Sequence, residues 1–320
     1  MRKCIFMITG LILIFLPFHS VKLQYLSKEG MIFIKGIEKT VNFTDKDKKR
    51  IFDICLQIGN SENYCHQEFQ FIFEINQFYF KVDSFYIDKY PVSIKSFMDY
   101  LDKVGKPYPK SIKNYAFKDK EINKRLSEYP AFGMNWYDAD GYCKSLGKRL
   151  PSSDEYLAVM YKGEFFPFDH YKEYNTRVRN QKYGFLLEPI GNNPYDVGNG
   201  GVIDVYGNLL EWTSTNYCQS FNHKRRVNVN FKDSIPMTQS GDTVLLFGTV
   251  FRRHVFGKDS CSSEDVILKG ASYGTGVSGL FLFYEGILGM DSEYGGWGFR
   301  CAKDYEPALD MQPSPHSVPK

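Results

Sequence analysis

The sequence predicts an α+β domain with much irregular structure, and three observations carry that prediction. Between Ser93 and Gly163 the chain shows helical spacing with matching start and stop residues. Ahead of that region, Met31–Lys35 and Phe78–Ile87 alternate apolar and polar side chains in the manner of strands. Beyond Gly163, glycine, asparagine and aromatic residues dominate, broken only by short apolar bursts such as Val244–Phe247. A segment of that kind packs through coil and short strands rather than long regular layers.

The helices are argued in order. Ser93 is a suitable N-cap, Ile94, Phe97, Met98 and Leu101 share one face, and Gly105 is a stop. Lys106–Lys124, polar and lysine-rich, reads as a loop. Trp136, Ala139, Cys143 and Leu146 form the face of a second helix that starts after Asn135 and ends at Gly147. After Pro151, Ser152 and Glu155 have the spacing of a capping box for a third helix carrying Tyr156, Leu157 and Met160. Nearer the start, Lys46–Arg50 reads as a charged surface turn. Cys55 and Cys65 flank Gly59-Asn60-Ser61 and suggest a hairpin closed by a local disulfide.

Composition narrows the class. Arg2 and Lys3 followed by the apolar run Ile5–Phe18 have the form of an export signal over residues 1–20, a run too short to span a bilayer comfortably. No later segment approaches a membrane span, because Glu74, Asn76 and Gln77 interrupt Phe69–Phe80. The mature chain is thus expected not to be an integral membrane protein. Seven cysteines less Cys4 leave six, which in an exported chain suggests up to three disulfides. No CxxC or HExxH spacing points to zinc. The formal charge of +3 falls to +1 without Arg2 and Lys3, which argues against nucleic acid as a partner; Lys224–Arg226 and Arg252–His254 are local clusters. One domain over residues 28–305 and a proline-bearing disordered tail over 306–320 complete the organisation.

Five motifs then appear in order. They are Phe85–Ser93, Asn135–Pro151 with Glu155 following, Asp204–Ser214, Leu268–Tyr273 and Gly298–Ala302. Together they resemble the formylglycine-generating enzyme, or sulfatase-modifying factor, domain, whose patterns include W-x-D-A-x-x-Y-C-x-x-x-G-K-R-L-P, G-N-x-x-E-W-T-S, R-G-G-S and G-F-R-C-A. Tyr156 stands where the family has tryptophan. The resemblance implies a C-type-lectin-like fold and a disulfide between Cys143 and Cys301. It also implies a calcium loop, with side-chain oxygens from Asp204 and Glu211 and carbonyls from Gly207 and Leu209. The alternative for Glu211 is an ion pair with a nearby arginine such as Arg300. A second calcium site would begin at Asn175 and Thr176. At least two of Trp136, Trp212 and Trp297 are expected as core anchors.

The family resembles a copper-dependent oxidase that uses two cysteines spaced C-x-x-x-x-C after R-G-G-S. Here those positions carry Thr275 and Leu280, although Ser272 is kept, and an apolar run, Leu280–Tyr284, replaces the arginine-rich stretch that follows. A hydroxyl and an isobutyl group cannot hold Cu(I), so the residues speak against copper. Cys218 and Cys261 lie outside the motif and read as a structural pair rather than a displaced redox site. The expectation is an exported, non-catalytic binding or scaffold protein of the cell envelope, periplasm or exterior. Its groove would be lined by Ser272, Tyr273 and Thr275 and would hold a peptide, a glycan or an envelope protein. The alternatives are an oxidase acting on protein cysteine with altered metal chemistry, and a subunit of an envelope assembly.

Overall fold

The structure, a computed structural model, describes residues 30–57, 60–66, 75–163, 187–217, 227–229, 263–272, 282, 285–293 and 296–307. The export signal and residues 308–320 therefore lie outside the described residues.

Strand β1 (Met31–Ile34) starts the first sheet. Next come β2 (Ile37–Asn42) and helix α1 (Asp45–Gln57). The charged run expected as a turn lies inside α1. Thr44 and Asp47 cap this helix reciprocally, the Asp47 N–H reaching the Thr44 hydroxyl at 3.2 Å and the Thr44 N–H reaching Asp47 Oδ2 at 2.8 Å. Ile51, Ile54 and Cys55 face inward at helical spacing. The Cys55–Cys65 disulfide is present, but it ties a helix to the segment after it rather than closing a hairpin.

The alternating stretch expected as one strand is two: β3 (Ile75–Val82) and β4 (Phe85–Asp88). Asp83 and Ser84 break it, and the two strands enter different sheets. Helix α2 (Ile94–Val104) has the expected ends. Ser93 Oγ accepts the Ser96 N–H at 3.2 Å, and Gly105 adopts φ 68°, the left-handed conformation that glycine reaches without penalty. The segment expected as a loop instead holds a π-helical turn at Ile112–Ala116 and helix α3 (Lys120–Lys124), which Asp119 caps. Ile112, Ala116 and Ile122 are buried there, so packing orders a stretch whose composition is polar.

Helix α4 (Trp136–Ser145) is capped by Asn135, and α5 (Ser153–Met160) carries the full Ser152–Glu155 capping box. After them come β5 (Leu210–Asn216), β6 (Val227–Val229), β7 (Asp265–Lys269), β8 (Gly286–Gly289), β9 (Trp297–Gly298) and β10 (Ala302–Asp304).

Among the described residues three small sheets result, ordered β1-β4-β10, β2-β3-β6 and β8-β7-β5-β9. Every strand pair in them is antiparallel except β5 with β9. One core gathers Ile34, Phe80, Phe85, Ile87 and Val205 around α5. A second gathers Phe97, Leu101, Phe132, Met134, Trp212 and Phe299 around α2 and α4, and a small third joins Tyr217, Ile267 and Ile287. Trp212 is fully buried and its indole N–H donates to the Met134 carbonyl at 3.1 Å. Trp136 and Trp297 pack against the same core while partly exposed. Cys143 of α4 is bonded to Cys301 just before β10, a crosslink across 158 positions of sequence. Among the described residues no helix is long and apolar enough to cross a membrane.

Candidate functional site

The site expected from the motifs sits where the loop of residues 187–209 meets β5, β7 and the segment before β10. Its geometry begins with Asp196, which is fully buried. Asp196 Oδ1 accepts the N–H groups of Val205 and Tyr206, both at 2.8 Å, and Oδ2 accepts that of Gly207 at 2.9 Å. Three backbone donors on one carboxylate offset the cost of its burial and fix the path of the loop.

Asn208 locks the next position. Its backbone stands at φ 74°, a conformation asparagine visits more readily than most side chains. Its amide spans the Glu188 backbone both ways, accepting the Glu188 N–H at 3.1 Å and donating to the Glu188 carbonyl at 3.0 Å. Asp204, at φ 53°, accepts the Gly191 N–H on Oδ2 at 2.8 Å. Asp196 and Glu188 were not foreseen as parts of this site. Neither belongs to a motif, and a carboxylate that receives amides from ten residues downstream leaves no local pattern.

Glu211 and Arg300 form the centre. Both are buried, and Arg300 donates from Nε to Glu211 Oε2 and from Nη2 to Glu211 Oε1, each at 2.7 Å. Nη2 also reaches the Asp204 carbonyl at 2.8 Å. Burial opposes the guanidinium charge, but Glu211 and Tyr156 beside it more than offset this, and the Arg300 pKa rises. The Arg300 guanidinium lies 5.8 Å from the centre of the Tyr156 ring. Burial, followed by the negative charge of Glu211, holds the Tyr156 hydroxyl well above its ordinary pKa.

From the other side, β7 delivers Lys269 and Gly270. Lys269 is buried, donates to the Leu282 carbonyl at 3.0 Å and lies 3.9 Å from Glu285. Gly270 takes φ 85°, and a Cβ there would stand 3.2 Å from the Leu209 carbonyl and 3.3 Å from that of Val205. This close approach requires glycine and packs the loop against the end of β7.

The expected site residues divide accordingly. Asp204, Gly207, Leu209 and Glu211 are together in this loop. The two acidic side chains are turned to other partners, Glu211 to Arg300 and Asp204 to the Gly191 amide. A calcium ion on the Glu211 carboxylate would have to share it with a buried guanidinium. Among the described residues, no three His, Cys, Asp or Glu side chains form a group able to hold a metal ion. Side chains alone therefore do not make the expected calcium site, whose remaining ligands would be backbone carbonyls. Ser272 is buried three residues after the end of β7. Tyr273, Thr275, Leu280, Asn175, Thr176, Cys218 and Cys261 lie outside the described residues. The copper ligands of the oxidase reaction do not fit, since no cysteine occurs between Cys261 and Cys301.

Short sheets joined by long, internally hydrogen-bonded loops define a C-type-lectin-like domain of the formylglycine-generating-enzyme kind. The family model of the sulfatase-modifying factor enzyme 1-like domain matches residues 54–305, and the chain belongs to that family. The serine/threonine-protein kinase pkn1 of Chlamydia caviae is 27% identical over 151 residues, covering 43% of this chain and 24% of its own length. The inactive C-alpha-formylglycine-generating enzyme 2 of Mus musculus is 30% identical over 109 residues, covering 30% of this chain and 35% of its own. The chain thus spans only about a quarter to a third of the length of these relatives. The fold is shared with PvdO from Pseudomonas aeruginosa, which superposes with a TM-score of 0.50 at 18% identity over 86% of this chain and 94% of that one.

Proposed function

We propose that this chain is an exported, non-catalytic binding or scaffold protein that keeps the sulfatase-modifying-factor scaffold and has given up its oxidation chemistry. One observation carries this reading. The elements that lead into the family's catalytic loop, β7 with Lys269, Gly270, Ala271 and Ser272, are in place, while Thr275 and Leu280 stand where two thiols are needed. Without thiolates there is nothing soft to bind Cu(I) and nothing to form a mixed disulfide with a substrate cysteine.

Two further observations support the reading. A relative in the same family is named as inactive. Two disulfides among the described residues suit an oxidising compartment, and so does the apolar run behind Arg2 and Lys3. The kinase name of the Chlamydia caviae relative belongs to a protein of which this chain matches about a quarter, and it transfers no activity. The ligand is assigned by class only, as a peptide, a glycan or an envelope protein.

The test is direct. Purified protein is loaded with Cu(I) and mixed with a cysteine-bearing peptide, and oxygen uptake and formylglycine are followed by electrode and mass spectrometry. The expected result is no turnover above the copper blank. Sustained, enzyme-dependent formation of formylglycine would overturn the proposal.

A further inference from the structure

We propose that the lysine-rich surface formed by the π-helical turn and α3 is a docking face for an anionic lipid bilayer, which it grips by the headgroups without entering the hydrocarbon. The proposal does not depend on whether the domain is catalytic.

The first ground is how this segment is built. Ile112, Ala116 and Ile122 turn inward and are buried. The Phe117 N–H reaches back five residues to the Ile112 carbonyl at 3.2 Å, closing a π-helical turn whose middle residues, Lys113, Asn114 and Tyr115, are all exposed. In α3, Lys120 and Lys124 stand four residues apart on the side opposite Ile122, and both are exposed. The two turns are pinned to each other and to α2. Asn123 Nδ2 donates to the Phe117 carbonyl at 3.4 Å. Tyr108 packs edge-on against Phe117, and its hydroxyl donates to Asp102 at 2.6 Å.

The second ground is the balance of charge. Residues 110–124 hold five lysines against two acidic side chains, a net charge of +3, which equals the formal charge of the whole chain. The acidic groups of the region are engaged. Asp119 accepts the N–H groups of Glu121 and Ile122 at 2.9 and 3.0 Å as the cap of α3. Glu121 lies beside Arg125, Glu128 accepts Arg125 Nε at 3.0 Å, and Asp138 holds Lys106 at 2.5 Å. Among the described residues, Lys110, Lys113, Lys118, Lys120 and Lys124 have no ion-pair partner. An ordinary solvated face intersperses the two signs and closes many of its charges in pairs. Here the anions are withdrawn and the cations are left.

The third ground is the kind of group that remains. An ammonium is a compact point charge without a preferred plane, suited to a dense layer of negative charge. Recognition of one carboxylate or phosphate would favour the fork of a guanidinium, and Arg125, the arginine of this segment, is already taken by Glu128. Tyr115 is 51% exposed on the same turn as Lys113. An apolar ring with a polar tip settles at the depth of lipid headgroups, so the tyrosine favours a bilayer over a soluble polyanion, which the lysines alone would meet.

The test is sedimentation of the full protein with vesicles of phosphatidylcholine, alone or mixed equally with phosphatidylglycerol. The expected result is binding to the anionic vesicles only, with release as salt approaches 1 M, where the screening length falls to about 3 Å. Each lysine close to an anionic surface strengthens binding about five-fold, so Lys113→Gln, Lys118→Gln and Lys124→Gln together are expected to weaken it on the order of 100-fold. A control protein with Lys35→Gln, Lys39→Gln and Lys303→Gln loses the same charge from other exposed positions and is expected to keep binding to within about five-fold of the parent. All six side chains are exposed, so circular dichroism is expected to show both variants folded. Equal weakening by the two triple variants would assign the binding to net charge and overturn the proposal. So would equal binding to neutral vesicles, or capture of soluble dextran sulfate without binding to anionic vesicles.

Discussion

Asn208 shows how much of the site is settled by a single residue. Its backbone is left-handed, and its side-chain amide makes two hydrogen bonds to the Glu188 backbone. These two roles separate experimentally. Asn208→Ala loses both hydrogen bonds and keeps the backbone strain, and it is expected to cost about 2–3 kcal/mol. Asn208→Gly loses the same bonds but relieves the strain, and it is expected to cost about 1 kcal/mol less than the alanine variant. Urea unfolding of both proteins checks the order, and a glycine variant no better than alanine would show that the conformation contributes nothing. At the same scale, Glu211 was legible as an acidic residue inside a motif with two candidate partners, a calcium ion or Arg300, and the structure shows the pair with Arg300. Two readings were open, a metal or an arginine, and a carboxylate alone does not distinguish them.

At the scale of elements, local chemistry was the reliable guide. The Ser152–Glu155 box was read from spacing and is present, with the Glu155 N–H 3.1 Å from Ser152 Oγ and the Ser152 N–H 2.7 Å from Glu155 Oε2. Glu155 is also held by Arg149 through both its oxygens, and Arg149 reaches on to Asp304 at the end of β10. The cap therefore anchors α5 to the C-terminal strand as well as starting a helix. Ser152→Ala is expected to destabilise the protein by about 1 kcal/mol, the ordinary cost of a lost N-cap. Glu155→Ala is expected to cost about 2–3 kcal/mol, because it also takes one of two carboxylate partners from a half-buried arginine. Chemical denaturation of the two variants tests the ranking. Helix α1 was missed for an instructive reason. The Thr44–Asp47 box was visible in the residues, yet the lysines at 46, 48 and 49 read as a turn, and only the inward face of Ile51, Ile54 and Cys55 overrides that impression. The Lys106–Lys124 stretch failed in the same way, since a few buried apolar residues decide the structure of a polar segment.

For the whole molecule, the Cys143–Cys301 crosslink joins the helical first half to the final strand. In the chain-entropy account a loop of this length is worth up to about 5 kcal/mol, less any strain. Cys143→Ser combined with Cys301→Ser is expected to lose about 2–5 kcal/mol and to leave the Cys55–Cys65 bond intact. Unfolding under non-reducing conditions, with peptide mapping of the remaining disulfide, checks both parts. A variant as stable as the parent would show that packing of Phe97, Trp212 and Phe299 holds the two halves together unaided. The family match over residues 54–305 and the structural likeness to PvdO act at this scale too, and they establish the scaffold rather than the ligand.

The sequence by itself determined the features whose causes are local or whose motifs are contiguous. These are the caps of α2, α4 and α5, the inward face of α2, the order of the five motifs, the family, and the absence of cysteine between Cys261 and Cys301; the face read for α4 fails at Leu146, which is exposed past the end of that helix. Each depends on residues a few positions apart or on the bare identity of a side chain. Only the tertiary structure decided which strands pair, that residues 83 and 84 send β3 and β4 into different sheets, and that Asp196 organises the loop. It alone also decided that Glu211 meets a guanidinium 89 residues away. The physical reason is that a buried charge must be matched wherever the fold brings a complement within reach. The cost of leaving it unmatched depends on burial, a property that no short stretch of sequence contains.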